Sequence, residues 1–370
     1  MKKLVIIGAN DFQNQLILKA KLLGYETHVF AWEEGAIGRD SADFFYPISI
    51  IEKEKILDIC RKIEPDGVCS IASDLAAITV NYVAEGLGLT CNATKYSQMQ
   101  TNKYAMRVAL AENGIPCPRF IVVEETFSKE GLEQFRFPII VKPTDRSGSR
   151  CITELYSFEG IEAAVKNACD VSFEHRAIIE EFISGDEYSM ETISWHGEHS
   201  MLAITKKYTT GCPDFIETGH VQPSDLSQNI QRAARQMIFN ALDALHIENS
   251  AGHAEFRVDQ QGNIHIIEIG ARMGGDCIGS DLVYLSTGND FMKMVIDVAC
   301  GLKPEINRKS LNKKAEIHFI FNESDMDDYK KIEKEEPDRI YRTSRFEMEN
   351  FGKAKDSSTR VGYYILREKV

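Results

Sequence analysis

Apolar and polar positions fall into alternating blocks at the start of the chain. Leu4–Ile7 is a short apolar run that ends at Gly8. A stretch with helical spacing follows from about Asp11 to Leu23 and stops at Gly24. Glu26–Ala31 reads as the next strand. Ile51–Ile63 reads as a helix with Pro65 just beyond it, Val68–Ala72 as a strand, and Asp74–Leu87 as a helix. Strands that alternate with helices predict a parallel, doubly wound sheet over residues 1–95. The first turn, Gly8-Ala9-Asn10-Asp11, lacks the second and third glycines of a dinucleotide fingerprint. Glu33 does not make up for them, so the segment reads as a structural α/β domain.

Thr101–Asn113 reads as a helix. Thr101 or Asn102 caps it, Gly114 ends it, and Pro116 and Pro118 forbid its continuation. An α+β region then runs to about residue 303, with turn signals at Phe137-Pro138, Ser184-Gly185, His196-Gly197 and Gln261-Gly262. A charged stretch, Asn322–Arg342, leads to a short last segment, Arg360–Arg367. The expected division is 1–95, 96–303 and 304–370, with a mobile lid over about 118–185 inside the second unit.

Composition narrows the possibilities. A chain of 370 residues accommodates two or three domains and a sizeable core. Its net charge of −13 argues against a nucleic-acid partner. An acidic protein that binds an anion must gather its lysines locally or recruit a cation. The nine cysteines are scattered with no Cys-x-x-Cys pair, which points to a reduced, cytoplasmic setting. No apolar run is long enough to span a bilayer, and MKKLVIIGAN opens like a first strand rather than a signal peptide.

Three stretches carry candidate chemistry. The first is HAEFRVDQQGNIHIIEIGAR, residues 253–272, two alternating runs around a turn at Gly262. A turn centred between Gln261 and Gly262 sets Asp259 against Ile264, Arg257 against Ile266 and Glu255 against Glu268. Phe256, Val258, Ile267 and Ile269 then form the core face. Two acids directly opposite each other repel. Either a shared proton or Arg257 lies between them, or they hold a hard cation such as Mg²⁺. The second stretch is IIVKPTDRSGSR, residues 139–150, where Lys142 ends a strand and a Gly/Ser loop follows. A lysine there is a point charge for phosphate, and the loop can fold its N–H groups over the same group. The third is AIIEEFISGDEYSME, residues 177–191, a strand that passes through Glu180 and Glu181 to a turn at Ser184-Gly185. Such a connector can offer backbone groups to an adenine edge, with Glu187 close enough for ribose hydroxyls.

In the order Lys103, Lys142 with its loop, EEFISGDE and HAEFRVD…IHIIEIGAR, the chain resembles the ATP-grasp superfamily, and within it the carboxylate–amine ligases. It looks most like the branch of carbamoyl-phosphate synthase large chains, biotin carboxylase and bacterial amino-acid ligases. The resemblance implies an ATP-grasp fold with an N-terminal doubly wound domain and a small C-terminal domain. It implies ATP and one or two Mg²⁺ ions as cofactors. Lys103 and Lys142 would bind phosphate under a cover formed by Ser147, Gly148 and Ser149. Glu180, Glu181 and Ile183 would meet adenine, Glu187 the ribose, and Glu255 and Glu268 the metal. Arg272, with Lys142, would act on the phosphoryl group in transfer.

The resemblance further implies that a carboxylate is activated as an acyl phosphate and joined to an amine. Small-molecule acid and amine substrates are the expected partners, and a homodimer is a possibility by analogy. Carboxylation or formylation on the same fold, and a nucleotide sensor without turnover, are the alternatives. The family usually reads Glu-Ile-Asn-x-Arg where this chain has Glu268-Ile269-Gly270-Ala271-Arg272. The asparagine that completes a second metal site is therefore replaced by glycine. For the substrate, Lys207 or His220 of an irregular covering loop, 206–225, is a candidate to hold a carboxylate. Gly274 and Gly275 would let backbone approach a ligand, and Asp276 would hold an ammonium. His253 shares a predicted face with Glu255 and reads equally well as structural.

Overall fold

The first apolar run becomes strand β1 (Lys3–Ile7), and helix α1 (Asp11–Leu22) follows it. Asn10 caps α1 by accepting from the N–H groups of Phe12 and Gln13, while the Gln13 side chain accepts from Asn10 N–H. Strands β2 (Glu26–Ala31), β3 (Phe44–Pro47) and β4 (Gly67–Cys69) join β1 in a parallel sheet of order β3-β2-β1-β4. Helix α2 (Lys53–Ile63) buries Ile56, Leu57, Cys60 and Ile63, the spacing of one helical face. Helix α3 (Asp74–Gly86) starts from a Ser73 cap. The computed structural model describes residues 1–148, 150–307 and 311–369, except the side chain of residue 358.

The expected helix is α5 (Lys103–Glu112), and a short helix that was not expected, α4 (Ser97–Thr101), precedes it and ends at Asn102. Asn102 is extended and caps α5 through Ala105 N–H, which places Lys103 in the first turn. A four-stranded sheet of order β5-β8-β6-β7 comes next, from β5 (Phe120–Glu124), β6 (Ile139–Pro143), β7 (Thr153–Leu155) and β8 (Arg176–Glu181). Helix α6 (Ile161–Val171) packs Ile161, Val165 and Ala168 against Ile139, Val141 and Ile179 of this sheet.

The third sheet is antiparallel, with order β13-β12-β9-β10-β11-β14-β16-β15. Its strands are β9 (Asp186–Trp195), β10 (Glu198–Thr209), β11 (Glu217–Gln222), β12 (Ala251–Val258), β13 (Ile264–Gly270), β14 (Ala315–Ile320), β15 (Ile340–Thr343) and β16 (Gly362–Arg367). Helix α7 (Gln228–Ala244) buries Ala234, Ile238 and Leu242 against Ala254, Phe256, Ile266 and Ile269. Helices α8 (Val283–Thr287), α9 (Phe291–Ala299) and α10 (Glu323–Glu335) complete the chain. The C-terminal strands hydrogen-bond onto β11, so the last segment continues the central sheet. No helix among the described residues is long and apolar enough to cross a membrane.

Two expectations change. Residues 206–225 are mostly the β10–β11 hairpin, and only 210–216 form an irregular tip. Gly211 and Pro213 interrupt the pattern at that tip, and this hid the flanking strands. The β12–β13 register is also corrected near its turn. Arg257 faces His265 rather than Ile266, and Val258, not Asp259, faces Ile264. The Asp259 side chain accepts from Gln261 and Asn263 N–H, which draws it into the turn. A bulge then restores the register, so Glu255 does face Glu268. The bulge takes Ile267 off the core face and onto the cleft.

The two sheets are joined by the turn between β8 and β9. Gly185 there has φ of 135°, and a Cβ on it would sit 2.3 Å from the Val258 carbonyl oxygen. Gly185→Ala should therefore destabilise the fold by about 2 kcal/mol or more, read as a lower midpoint in denaturant with unchanged slope.

Candidate active site

Strand parity builds the floor of a cleft. On β12, His253, Glu255 and Arg257 point one way, while Ala254, Phe256 and Val258 enter the core. Each cleft-facing residue heads a row across the sheet. Arg257 stands beside Glu187 of β9, which stands beside Lys207 of β10. Glu255 lies between Glu268 and Ser189, and His253 between Gly270 and Glu191. The cleft above these rows encloses about 1150 Å³, open solvent included, between the central sheet and the β5–β8 lobe.

The acids on this floor are held by cations rather than by each other. Lys207 is bonded to Glu255 and lies 3.2 Å from Glu187. Arg257 donates to Glu187 at 2.9 Å and to the Ile183 carbonyl at 2.7 Å, so it does not stand between the paired glutamates. His253 bridges Glu191 and, at 3.2 Å, Glu255. Burial opposes ionisation of Glu255, but Lys207 and His253 outweigh it and keep the carboxyl far below its usual range. Burial likewise disfavours the His253 cation, yet Glu191 and Glu255 push it up to about 9. At neutral pH this histidine is therefore a charged strut between carboxylates, not a base. Lys103, at the start of α5, reaches Glu268 at 3.1 Å and the Arg146 carbonyl at 2.5 Å.

The roof is anchored by one buried carboxylate. Glu180 of β8 accepts from Lys142 of β6 and from Arg107 of α5, each at 2.6 Å. Burial raises its carboxyl, but Arg107 and Lys142 prevail and hold it down to about 2. Lys142 shares that one acid with Arg107. Burial, with Arg107 and Lys103 nearby, therefore leaves its ammonium below the ordinary lysine value. Arg107 also donates to the carbonyl of Ile267, the residue that the bulge turned outward. Its Nη1 is buried without a hydrogen-bond partner among the described residues, and the residue lines the cleft. The sequence reading missed Arg107. Its place one helical turn after Lys103, on the same face, was the available signal.

Most predicted residues meet in this cleft. Lys103, Lys142, Ser147, Gly148, Glu180, Glu181, Ile183, Glu187, Lys207, Glu255, Glu268 and Arg272 all line it. Ser149 lies outside the described residues. His220, Gly274, Gly275 and Asp276 are not among the lining residues. His220 is the cross-strand partner of Lys207 and is buried 3.6 Å from Asp276. Asp276 is gripped by Arg360 at 2.7 and 3.0 Å, so its charge is already matched. Gly274 is small for another reason than expected. Its missing Cβ leaves room for Glu191 and His253, and its N–H donates to Glu191 at 3.0 Å. Arg272 reaches back to Asp74 of α3, a residue with no assigned role in the sequence reading.

Known proteins resemble this chain in sequence and fold. Residues 135–281 match the ATP-grasp domain family. The alanine–anticapsin ligase of Bacillus subtilis is 27% identical over 294 residues, which cover 70% of this chain and 61% of that protein. The chain thus spans under two thirds of that relative's length. The L-amino acid ligase structure from Bacillus licheniformis superposes with a TM-score of 0.79 at 24% identity, covering 100% of this chain and 94% of that one. The N5-carboxyaminoimidazole synthetase of Staphylococcus aureus in complex with ADP superposes with a TM-score of 0.78 at 15% identity, again covering 100% and 94%.

The Glu180 junction yields a pH prediction. Its folded value of about 2 lies below the ordinary 4.5, so its stabilisation is complete above pH 4.5 and fades as pH falls toward 2. Glu180→Gln should cost about 3 kcal/mol at neutral pH, and the gap to wild type should narrow in acid. Denaturant unfolding at the two pH values measures this.

Proposed function

We propose that this chain, which has an ATP-grasp fold, is an ATP-dependent ligase that activates a carboxylate as an acyl phosphate and couples it to the amine of an amino-acid-like substrate. The observation that carries the reading is the facing pair Glu255 and Glu268, set in one cleft with Lys103, Lys142 and Arg272. The likeness to an alanine–anticapsin ligase supports an amino-acid-like substrate.

Each group has a part in this chemistry. Lys103 and Lys142 neutralise the triphosphate, and the loop after Lys142, with Ser147 and Gly148, excludes water above it. Glu187 takes the ribose hydroxyls, and the strand end at Glu181–Ile183 takes the purine. Glu255 and Glu268 offer only oxygen donors beside a phosphate site, a set that fits Mg²⁺. The lysine now on each acid stands where a cation is needed. Bound there, the ion supplies charge neutralisation of the phosphates. An ion held by Glu268 would leave Lys103 free for a phosphate oxygen.

A substrate carboxylate oxygen attacks the terminal phosphorus, and ADP leaves with the electron pair. The amine then attacks the acyl carbon, and phosphate departs. Arg272 and Lys142 balance the charge in flight, so positioning and electrostatics account for the rate without a nucleophilic side chain.

The test is ADP and phosphate release from Mg–ATP with pools of amino acids and small carboxylates, read with the product mass. Amine-dependent turnover is expected. ADP release driven by bicarbonate or formate without an amine would place the chain with the carboxylating or formylating enzymes. Nucleotide binding with no stimulated release would mark a sensor. Glu268→Gln should lower turnover on the order of a thousandfold while leaving the fold intact. Lys142→Ala should cut it on the order of a hundredfold and weaken nucleotide binding; unaltered values for either variant would refute the role given to that side chain.

A further inference from the structure

Arg272 follows the end of β13 by two residues and is fixed from another layer of the fold. Its Nε donates to Asp74 Oδ1 at 2.9 Å, its Nη2 to Asp74 Oδ2 at 3.3 Å and its Nη1 to the Met273 carbonyl at 3.3 Å. A guanidinium has five N–H groups, so two remain for a ligand. Asp74 is the first residue of α3 and belongs to the N-terminal layer. A helix N-terminus favours its negative charge. Burial disfavours that charge, but Arg272 outweighs it and keeps the carboxyl below its usual range.

The turn that presents Asp74 is itself clamped. Ala72 adopts φ of 56°, and its N–H donates to the Met273 carbonyl at 3.2 Å, one residue past Arg272. The Gln13 side chain holds the Ile71 carbonyl at 2.7 Å. Ser73 accepts from Ala76 N–H at 3.2 Å and fixes where the helix begins.

Gly270 completes the argument. Residues 268 and 270 project from the same side of β13, so a side chain at 270 would point into this space. A Cβ there would meet Asp74 Oδ1 at 2.8 Å and Arg272 Nε at 3.1 Å. The glycine is the gap through which a carboxylate from another part of the chain reaches the arginine. No backbone reason compels it, since its φ is not in the left-handed region.

We propose that Asp74 is a positioning residue of the active site: its carboxylate, delivered by the turn before α3 through the gap at Gly270, holds the Arg272 guanidinium so that its unbound N–H groups meet the phosphoryl group in transfer. The inference rests on the reading of Arg272 under the ligase proposal. It makes the N-terminal layer part of the reaction centre.

The experiment compares the full chain with Asp74→Ala, Asp74→Asn, Gly270→Ala, Arg272→Ala and the double variant Asp74→Ala/Arg272→Ala. Calorimetry measures binding of Mg–ADP alone and of Mg–ADP with fluoroaluminate, a mimic of the phosphoryl group in flight. ADP release and melting curves are recorded alongside. The wild type should bind the mimic on the order of a hundredfold more tightly than Mg–ADP. Asp74→Ala should remove most of that preference and change Mg–ADP affinity by less than about threefold. Asp74→Asn should retain part of it, because an amide oxygen still accepts one bond. Gly270→Ala should resemble Asp74→Ala although Asp74 is present. In the Arg272→Ala background, Asp74→Ala should add no further loss.

An Asp74→Ala chain that keeps the full preference overturns the inference, and so does an undiminished loss when Arg272 is absent. Should Asp74→Ala not fold, Asp74→Asn and Gly270→Ala decide the matter. A wild type that prefers the mimic but shows no amine-dependent ADP release sinks the ligase reading and leaves this one standing. A wild type with no preference for the mimic overturns both.

Discussion

The constraint on which the site depends is the crowding of four acids, one buried and three half-buried, on one face of a sheet. Glu187, Glu191, Glu255 and Glu268 lie within three neighbouring rows, where like charges oppose one another. The fold resolves this with cations from separate elements. Arg257 and Lys207 flank Glu187, Lys207 also serves Glu255, His253 lies between Glu191 and Glu255, and Lys103 descends from α5 onto Glu268. Removing one member would leave an uncompensated buried charge, the costly case for any ion pair. The face thus carries acids and cations in alternation across its rows.

The roof follows the same rule on a smaller scale. Glu180 joins three pieces of chain, because Lys142 comes from β6 and Arg107 from α5, while Arg107 also ties down the bulge at Ile267. One carboxylate therefore couples the position of Lys142 to the register of the β12–β13 hairpin. That coupling explains why an extra residue in β13 is tolerated: the bulged carbonyl has a partner.

The sequence was most legible where local pattern decides the structure. The alternating N-terminal elements, the Lys103 cap and the pairing of Glu255 with Glu268 follow from periodicity and turn residues. It was less legible wherever a side chain answers to a distant one. Asp74 lies 198 residues from Arg272, and Arg360 lies 84 from Asp276, so no spacing rule links either pair. Gly274 and Gly270 were read as a ligand approach and a missing metal donor. Each is in fact small because a carboxylate from another strand or helix occupies the adjoining space. A glycine marks room for something, but sequence does not say whose atoms fill it.

The attachment of β14 to β11 has its own consequence. Without β14, β16 and β15, the outer rim of β11 would expose a row of unsatisfied amide and carbonyl groups, a template for pairing with foreign strands. The terminal tract thus acts as a selvedge for β11: it finishes that strand's rim and moves the open edge of the sheet outward to the short strand β15.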